Sequence, residues 1–120
     1  MKHLAKIAIA LIVILLPVAA LAHAMLDRAS PRVGSTVASA PKKLLLWFTE
    51  KLEPAFSTAE VRNAQGAAMQ SGKAHVDGSD RTELRVPLKA LPPGTYLVTW
   101  RVLSVDTHRT HGSFTLKVGP

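Results

Sequence analysis

Residues 91–104 read Leu-Pro-Pro-Gly-Thr-Tyr-Leu-Val-Thr-Trp-Arg-Val-Leu-Ser, a turn signal followed by an alternating segment. Pro-Pro-Gly favours a turn because proline fixes its own backbone and glycine tolerates a reversal. Successive side chains of a β-strand point to opposite faces. From Thr95 to Ser104 one face would carry Tyr96, Val98, Trp100 and Val102, and the other Leu97, Thr99, Arg101 and Leu103. This alternation predicts the longest strand of the chain.

Further strands are expected on both sides. Lys42–Thr49 contains Leu-Leu-Leu-Trp-Phe, which is too short and too closely bounded for a helix and predicts a buried strand. Ser57–Arg62 predicts another strand, which resumes after Pro54 and ends in a turn over 63–66. The polar, glycine-containing region 67–80 predicts loops with at most a short strand.

Two more strands complete the pattern. One holds the alternating residues Leu84, Val86 and Leu88, and Pro87 indicates a sheet edge or the strand's end. The last follows the segment 106–112, with its inward face formed by Phe114, Leu116 and Val118. Short strands at this spacing in about 100 residues predict an all-β fold, a two-sheet antiparallel sandwich.

The first 22 residues have the three parts of a secretory signal. Lys2 and Lys6 give a basic start, residues 7–16 are an unbroken apolar run, and Ala20-Leu21-Ala22 supplies small residues at a cleavage site. An uncleaved membrane anchor is the alternative, but a spanning helix needs about 20 apolar residues. We therefore expect residues 1–22 to be removed and residues 23–120 to form one domain in the periplasm.

Composition narrows the function of that domain. The chain has no cysteine, so disulfides and thiolate metal ligands are excluded. Without Lys2 and Lys6 the 15 basic residues become 13 against 8 acidic ones, a net charge of +5. This charge is scattered, without the basic stripe and interleaved aromatics of a nucleic-acid-binding surface. We expect a solvated surface and no nucleic-acid partner.

Cleavage after Ala22 would make His23 the first residue of the exported protein. A terminal histidine carries an α-amine and a ring Nδ1 that can close a six-membered chelate ring on one metal ion. An internal histidine cannot do this, because its backbone nitrogen belongs to an amide. The exported chain would therefore begin with a metal-binding nitrogen pair.

Asp106 and His108 are the best candidates for the remaining ligands. In an extended chain, residues i and i+2 point to the same side with Cα atoms roughly 7 Å apart. Together with His23 they would provide three nitrogens and one carboxylate oxygen, which suits Cu(II), whereas Zn(II) prefers a tetrahedron. Asp-x-His alone also occurs as a turn in which aspartate caps backbone amides. His111 would face the other way, which favours a surface or supporting role, and His75 is expected to be exposed.

Several motifs resemble the CopC family of small periplasmic copper-binding proteins. They are His23, Ser30-Pro31, Gly34-Ser35, Leu46-Trp47-Phe48-Thr49-Glu50, Pro93-Gly94-Thr95-Tyr96, Trp100-Arg101-Val102, Ser104-x-Asp106-Thr107-His108 and Gly112-x-Phe114. The resemblance implies a Greek-key β-sandwich or barrel, immunoglobulin-like, with about seven strands. It also implies one Cu(II) ion bound by His23, Asp106 and His108, with Glu50 hydrogen bonding near the site.

The sequence departs from some family members, which have a second, Cu(I) site in a methionine-rich loop. The matching region, residues 63–80, holds only Met69 and His75. The chain therefore resembles the type with a single Cu(II) site.

The function predicted from these features is a monomeric copper carrier or buffer in copper homeostasis or resistance, and not an enzyme. Its partner would be an inner-membrane copper transporter. One alternative is a terminal-histidine copper enzyme that cleaves polysaccharides oxidatively, but only six aromatic residues are present and most lie on core-facing positions. The other alternative is a metal-free structural sandwich, which leaves His23 unexplained.

Overall fold

The computed structural model describes residues 24–120, which form two packed four-stranded sheets. The strands are β1 (Leu26–Ser30), β2 (Thr36–Val37), β3 (Lys43–Phe48), β4 (Thr58–Arg62), β5 (His75–Val76), β6 (Glu83–Pro87), β7 (Gly94–Leu103) and β8 (Arg109–Val118). A short 3₁₀ helix, Pro54–Phe56, precedes β4. Among residues 24–120 no helix is long and apolar enough to cross a membrane.

One sheet has the strand order β1-β3-β6-β5 and the other β2-β8-β7-β4. All strand pairs are antiparallel except β2 with β8. The chain crosses between the sheets after β1, β2, β3, β4 and β6, whereas β5–β6 and β7–β8 follow each other within one sheet. The predicted all-β sandwich is confirmed, with eight strands in the described chain where about seven were expected.

The core lies between the sheets and is formed by alternate strand residues. The predicted inward residues of β7 are buried, whereas Leu97 on the other face is 45% exposed. In β8 the side chains of Phe114, Leu116 and Val118 point inward, as predicted. Phe48 and Trp100 meet edge to face across the core, with ring centroids 5.1 Å apart. This contact joins β3 of one sheet to β7 of the other.

Two short strands lie where the sequence predicted none. β1 pairs with β3 through a register irregularity between Leu26 and Arg28, and β2 adds only two residues beside β8. β1 exposes polar side chains at Asp27 and Arg28, so it lacks a continuous apolar alternation. The hydrogen-bonding edges of β3 and β8, rather than local sequence preference, account for both strands.

β7, which was predicted to be the longest strand, is as long as β8. β8 has ten residues, as β7 does, and begins at Arg109 rather than after Gly112. Gly112 lies directly opposite Trp100, and a Cβ atom there would come within 2.5 Å of Trp100 Cζ2. This glycine makes room for a core aromatic and does not end the strand. Pro87 does end β6, as expected.

Candidate metal centre

Asp106 and His108 lie in the tight connection between β7 and β8. Asp106 Oδ1 is 3.4 Å from His108 Nδ1, and the two side chains are 33% and 48% exposed. Two donor atoms of the types that bind Cu(II) or Zn(II) therefore face each other at the solvent boundary. Among residues 24–120, no cluster of three or more His, Asp or Glu side chains is arranged to hold a metal.

The two side chains meet through a turn and not through an extended chain, which corrects the geometry expected from the sequence. Residues 105–107 form the turn, and Thr107 has a left-handed backbone with φ of 73°. The Thr107 amide donates to the Ser104 carbonyl at 2.9 Å, and the Ser104 amide donates to the His108 carbonyl at 3.0 Å. The turn thus folds His108 back beside Asp106.

Ser104 organises this turn, although the sequence suggested no role for its side chain. It is fully buried, its hydroxyl donates to Asp106 Oδ1, and its oxygen accepts from the His108 amide at 3.3 Å. The hydrogen bond from Ser104 is the main reason that the pKa of Asp106 lies below its usual value; burial opposes it, and His108 lowers it further. Asp106 is therefore held in its ionised, metal-binding form.

His23 and the predicted signal segment, residues 1–22, lie outside the described residues. The next two residues, Ala24 and Met25, are held by hydrogen bonds. Ala24 is fully buried, and its carbonyl accepts a hydrogen bond of 2.6 Å from the hydroxyl of Thr110 in β8. Met25 exchanges two hydrogen bonds with Thr49, through the Met25 amide and the Thr49 hydroxyl at 3.0 Å and through the Thr49 amide and the Met25 carbonyl at 2.9 Å.

Thr110 is two residues beyond His108, so the start of the described chain is attached beside the Asp106–His108 pair. Neither Thr49 nor Thr110 was singled out from the sequence for this role. A threonine that bonds to a residue 86 positions away has no local signature.

Glu50 lies in a segment that contacts both parts of this region. It follows Thr49, the partner of Met25, and precedes Lys51, whose carbonyl accepts from the Val105 amide at 3.0 Å. Its side chain is half-buried. Glu50 therefore lies between a residue that contacts the start of the described chain and a residue that contacts the turn.

The other residues that the sequence singled out lie outside the turn that carries Asp106 and His108. His111 is exposed on the outer face of β8, opposite Arg101 of β7. His75 is exposed in the edge strand β5, whereas Met69 is half-buried and packs against the core. Met25 is 58% exposed.

Comparison with known proteins finds one family. Residues 26–119 match the family model described as the CopC domain. "Copper resistance protein C" of Pseudomonas syringae pv. tomato is 39% identical over 103 residues, covering 81% of each chain. "Protein YobA" of Escherichia coli (strain K12) is 38% identical over 98 residues, covering 81% of this chain and 79% of that protein.

Solved structures of CopC and PcoC are similar to this chain. CopC from Methylosinus trichosporium OB3b superposes with a TM-score of 0.76 at 33% identity, over 82% of this chain and 95% of that one. PcoC, a methionine-rich copper resistance protein from Escherichia coli, gives a TM-score of 0.70 at 34% identity, over 81% and 99%.

Proposed function

This chain belongs to the CopC family, and from that membership we propose that it is a periplasmic Cu(II)-binding protein that carries or buffers copper in copper homeostasis or resistance. One Cu(II) ion would be bound by the α-amine and imidazole of His23, the carboxylate of Asp106 and the imidazole of His108. The names of the relatives, copper resistance protein C among them, support copper as the cargo.

The observation that carries this proposal is the hydrogen bond between the Thr110 hydroxyl and the Ala24 carbonyl. It attaches the residue after His23 to the strand that begins directly after His108. Asp106 and His108 provide only two ligands, and among residues 24–120 no third His, Asp or Glu completes a cluster with them. His23, the neighbour of the anchored Ala24, can contribute the missing two nitrogens if it is the chain terminus.

The donor set favours Cu(II) over Cu(I). Nitrogen and carboxylate ligands suit the divalent ion, whereas Cu(I) prefers sulfur. In this proposal Asp106 is already ionised when the metal arrives, so binding costs no proton at that ligand, and the Ser104 hydrogen bond lowers the pKa of Asp106 further. Glu50 would hydrogen bond near the metal, and His111 would support the site from outside the ligand set.

A carrier fits the site better than a redox enzyme. Of the six aromatic residues, Phe48, Tyr96, Trp100 and Phe114 are buried, and Trp47 lies under the Arg28 guanidinium. Only Phe56 is an exposed aromatic within the described chain, which provides little surface for stacking on sugars. The protein would work as an exported monomer, after removal of residues 1–22, and deliver copper to an inner-membrane transporter.

The terminus provides the sharpest test. We would compare the chain that begins at His23 with the same chain carrying one additional methionine, by competition with a chromogenic Cu(II) chelator. The extended form should bind Cu(II) much more weakly, because its His23 nitrogen is an amide. Both forms should have the same circular dichroism spectrum, which controls for folding. Equal affinities would overturn the proposed ligand set.

A further inference from the structure

The face of the molecule beside the metal centre carries a groove of about 350 Å³, lined by Phe56, Arg101, Val102, Arg109, Thr110 and His111. It begins at the residue after His108 and extends over the outer face of β8, β7 and the 3₁₀ helix. None of these residues is a proposed copper ligand. The groove is nevertheless the surface that any molecule approaching the metal from this side would contact.

Two arginines give the groove its charge. Arg101 and Arg109 are exposed, and among residues 24–120 neither forms an ion pair. Arg101 is opposite His111 in the strand register, and Arg109 is opposite Leu103. The pair Val102–Thr110 lies between these two pairs, so both guanidinium groups project from the same face of the sheet. Glu60, the acidic residue farther along this face, pairs instead with Arg62 at 3.1 Å.

Phe56 gives the groove an apolar contact. It is 60% exposed at the end of the 3₁₀ helix, although a phenylalanine gains free energy when it is buried. Aromatic residues and arginines are enriched in protein interfaces, where they provide most of the binding energy. An exposed aromatic beside two arginines without ion pairs therefore indicates a docking surface.

We propose that this groove binds an acidic segment of the protein that exchanges copper with this chain, with carboxylates paired to Arg101 and Arg109 and an apolar side chain against Phe56. The proposal rests on the copper-carrier function above. The positive charge of the two arginines favours an acidic partner. The groove is concave, so a chain segment fits into it better than the flat surface of a bilayer. Docking there places the partner next to His108, where a copper ligand of its own could reach the ion.

The test uses a synthetic acidic peptide of about ten residues, Asp and Glu around one central Leu, and an analogue with Asn and Gln in place of the acids. Binding to the full exported protein is followed by NMR. The acidic peptide should shift the amide signals of the groove residues, bind more weakly as salt rises, and outcompete its neutral analogue. Arg101→Gln with Arg109→Gln should weaken it by about tenfold, the effect of two exposed ion pairs.

Arg32→Gln is the matched control, since it removes an exposed arginine in the turn before β2. It should leave peptide binding unchanged, whereas Phe56→Ala should weaken the binding of both peptides. Equal losses from Arg32→Gln and from the groove arginines, or equal binding of the two peptides, would overturn the proposal. Binding of anionic lipid vesicles through these arginines, without the peptide, would also overturn it and assign the groove to a membrane surface.

A Cu(II) titration of the same samples separates this inference from the proposed function. The groove variants should retain wild-type copper affinity. Failure to bind Cu(II) would remove the carrier function even if the peptide docks. Intact copper affinity without peptide docking would remove only the groove proposal.

Discussion

At the scale of single residues, the candidate metal centre is organised by the buried hydroxyl of Ser104. It donates to Asp106 Oδ1 and accepts from the His108 amide, so one side chain orients both proposed ligands. Outer residues that hold metal ligands typically change metal affinity by about 10–100-fold when mutated. Ser104→Ala should therefore weaken Cu(II) binding by about this factor, measured by chelator competition.

Ser57→Ala is the matched control for this substitution. Ser57 is also buried, and its hydroxyl bonds to the backbone of Leu103 at 3.2 Å, but it contacts neither proposed ligand. Both variants should lose about 1–3 kcal/mol of stability, because each leaves buried backbone groups without a partner. Only Ser104→Ala should also lose copper affinity. Equal copper affinity in the two variants would remove Ser104 from the site.

Ser104 also affects how the stability of the copper-free protein depends on pH. The pKa of Asp106 is lower in the folded chain than in the unfolded one, mainly because of Ser104. Its carboxylate therefore stabilises the fold above the unfolded-state pKa, and this contribution is lost as pH falls through the folded-state pKa. Ser104→Ala should raise the folded-state pKa of Asp106 toward its unfolded-state value, so the contribution becomes smaller and is lost over a narrower pH range. An NMR titration of the Asp106 carboxyl carbon measures this, and an unchanged midpoint would contradict it.

The histidines differ in their expected contributions. His108→Ala removes a proposed nitrogen ligand and should cost more Cu(II) affinity than the roughly 10–100-fold expected for a supporting residue. His75→Ala is the matched control, because its side chain is exposed outside the turn, and His111→Ala, at a residue proposed to support the site, should cost less affinity than His108→Ala. A larger loss in His111→Ala than in His108→Ala would show that the wrong histidine was assigned.

At the scale of elements, β7 and β8 position the turn that carries Asp106 and His108. Their ten-residue pairing is continuous from Gly94–Val118 to Leu103–Arg109, and this turn joins its last pair. Gly112→Ala would drive a Cβ atom into the Trp100 ring inside this pairing. It should cost about 1–3 kcal/mol of stability, the usual cost of overpacking, in urea unfolding. Gly78→Ala, with nothing within 4 Å of its Cβ, is the control and should cost less.

The elements also show what sequence patterns can predict. β3, β4, β6 and β7 were predicted because each has apolar residues at strand spacing beside proline or glycine. β1 and β2 were missed because their residues alternate poorly and their pairing partners are remote. The turn at Asp106 was predicted as extended chain, because the sequence Asp-Thr-His does not indicate that Thr107 adopts a left-handed backbone conformation. The side chains of Asp106 and His108 nevertheless meet, and their role as ligands stays a prediction.

At the scale of the whole molecule, the proposed site joins the two ends of the domain. Ala24 and Thr110 are 86 residues apart and share a hydrogen bond. Sequence spacing cannot predict such a contact, because it arises from how the two sheets pack. The chemistry of His23, Asp106 and His108 could be chosen from the sequence, but their proximity could be expected only through the resemblance to a known family. The contact at Ala24 attaches the residue after His23 to the strand that follows His108, and the proposed ligand set builds on this contact.

This arrangement predicts that copper stabilises the whole fold. A ligand that binds only the folded state adds about 2.7 kcal/mol to the free energy of unfolding at a free concentration 100 times its Kd. Cu(II) at that concentration should raise the unfolding midpoint of the chain that begins at His23. The same copper concentration should have a much smaller effect on His108→Ala and on the chain with one additional N-terminal methionine.

The stabilisation should also depend on pH, because protons compete with copper for each nitrogen. Free imidazole and α-amine nitrogens protonate between mildly alkaline and mildly acidic pH, whereas a carboxylate protonates at lower pH, and the depressed pKa of Asp106 widens that difference. The copper-induced increase in stability should therefore fall steeply as pH drops through the nitrogen range, before Asp106 protonates. Thermal unfolding with and without Cu(II) at several pH values measures it. A copper effect that is flat across mildly acidic pH would contradict three nitrogen ligands.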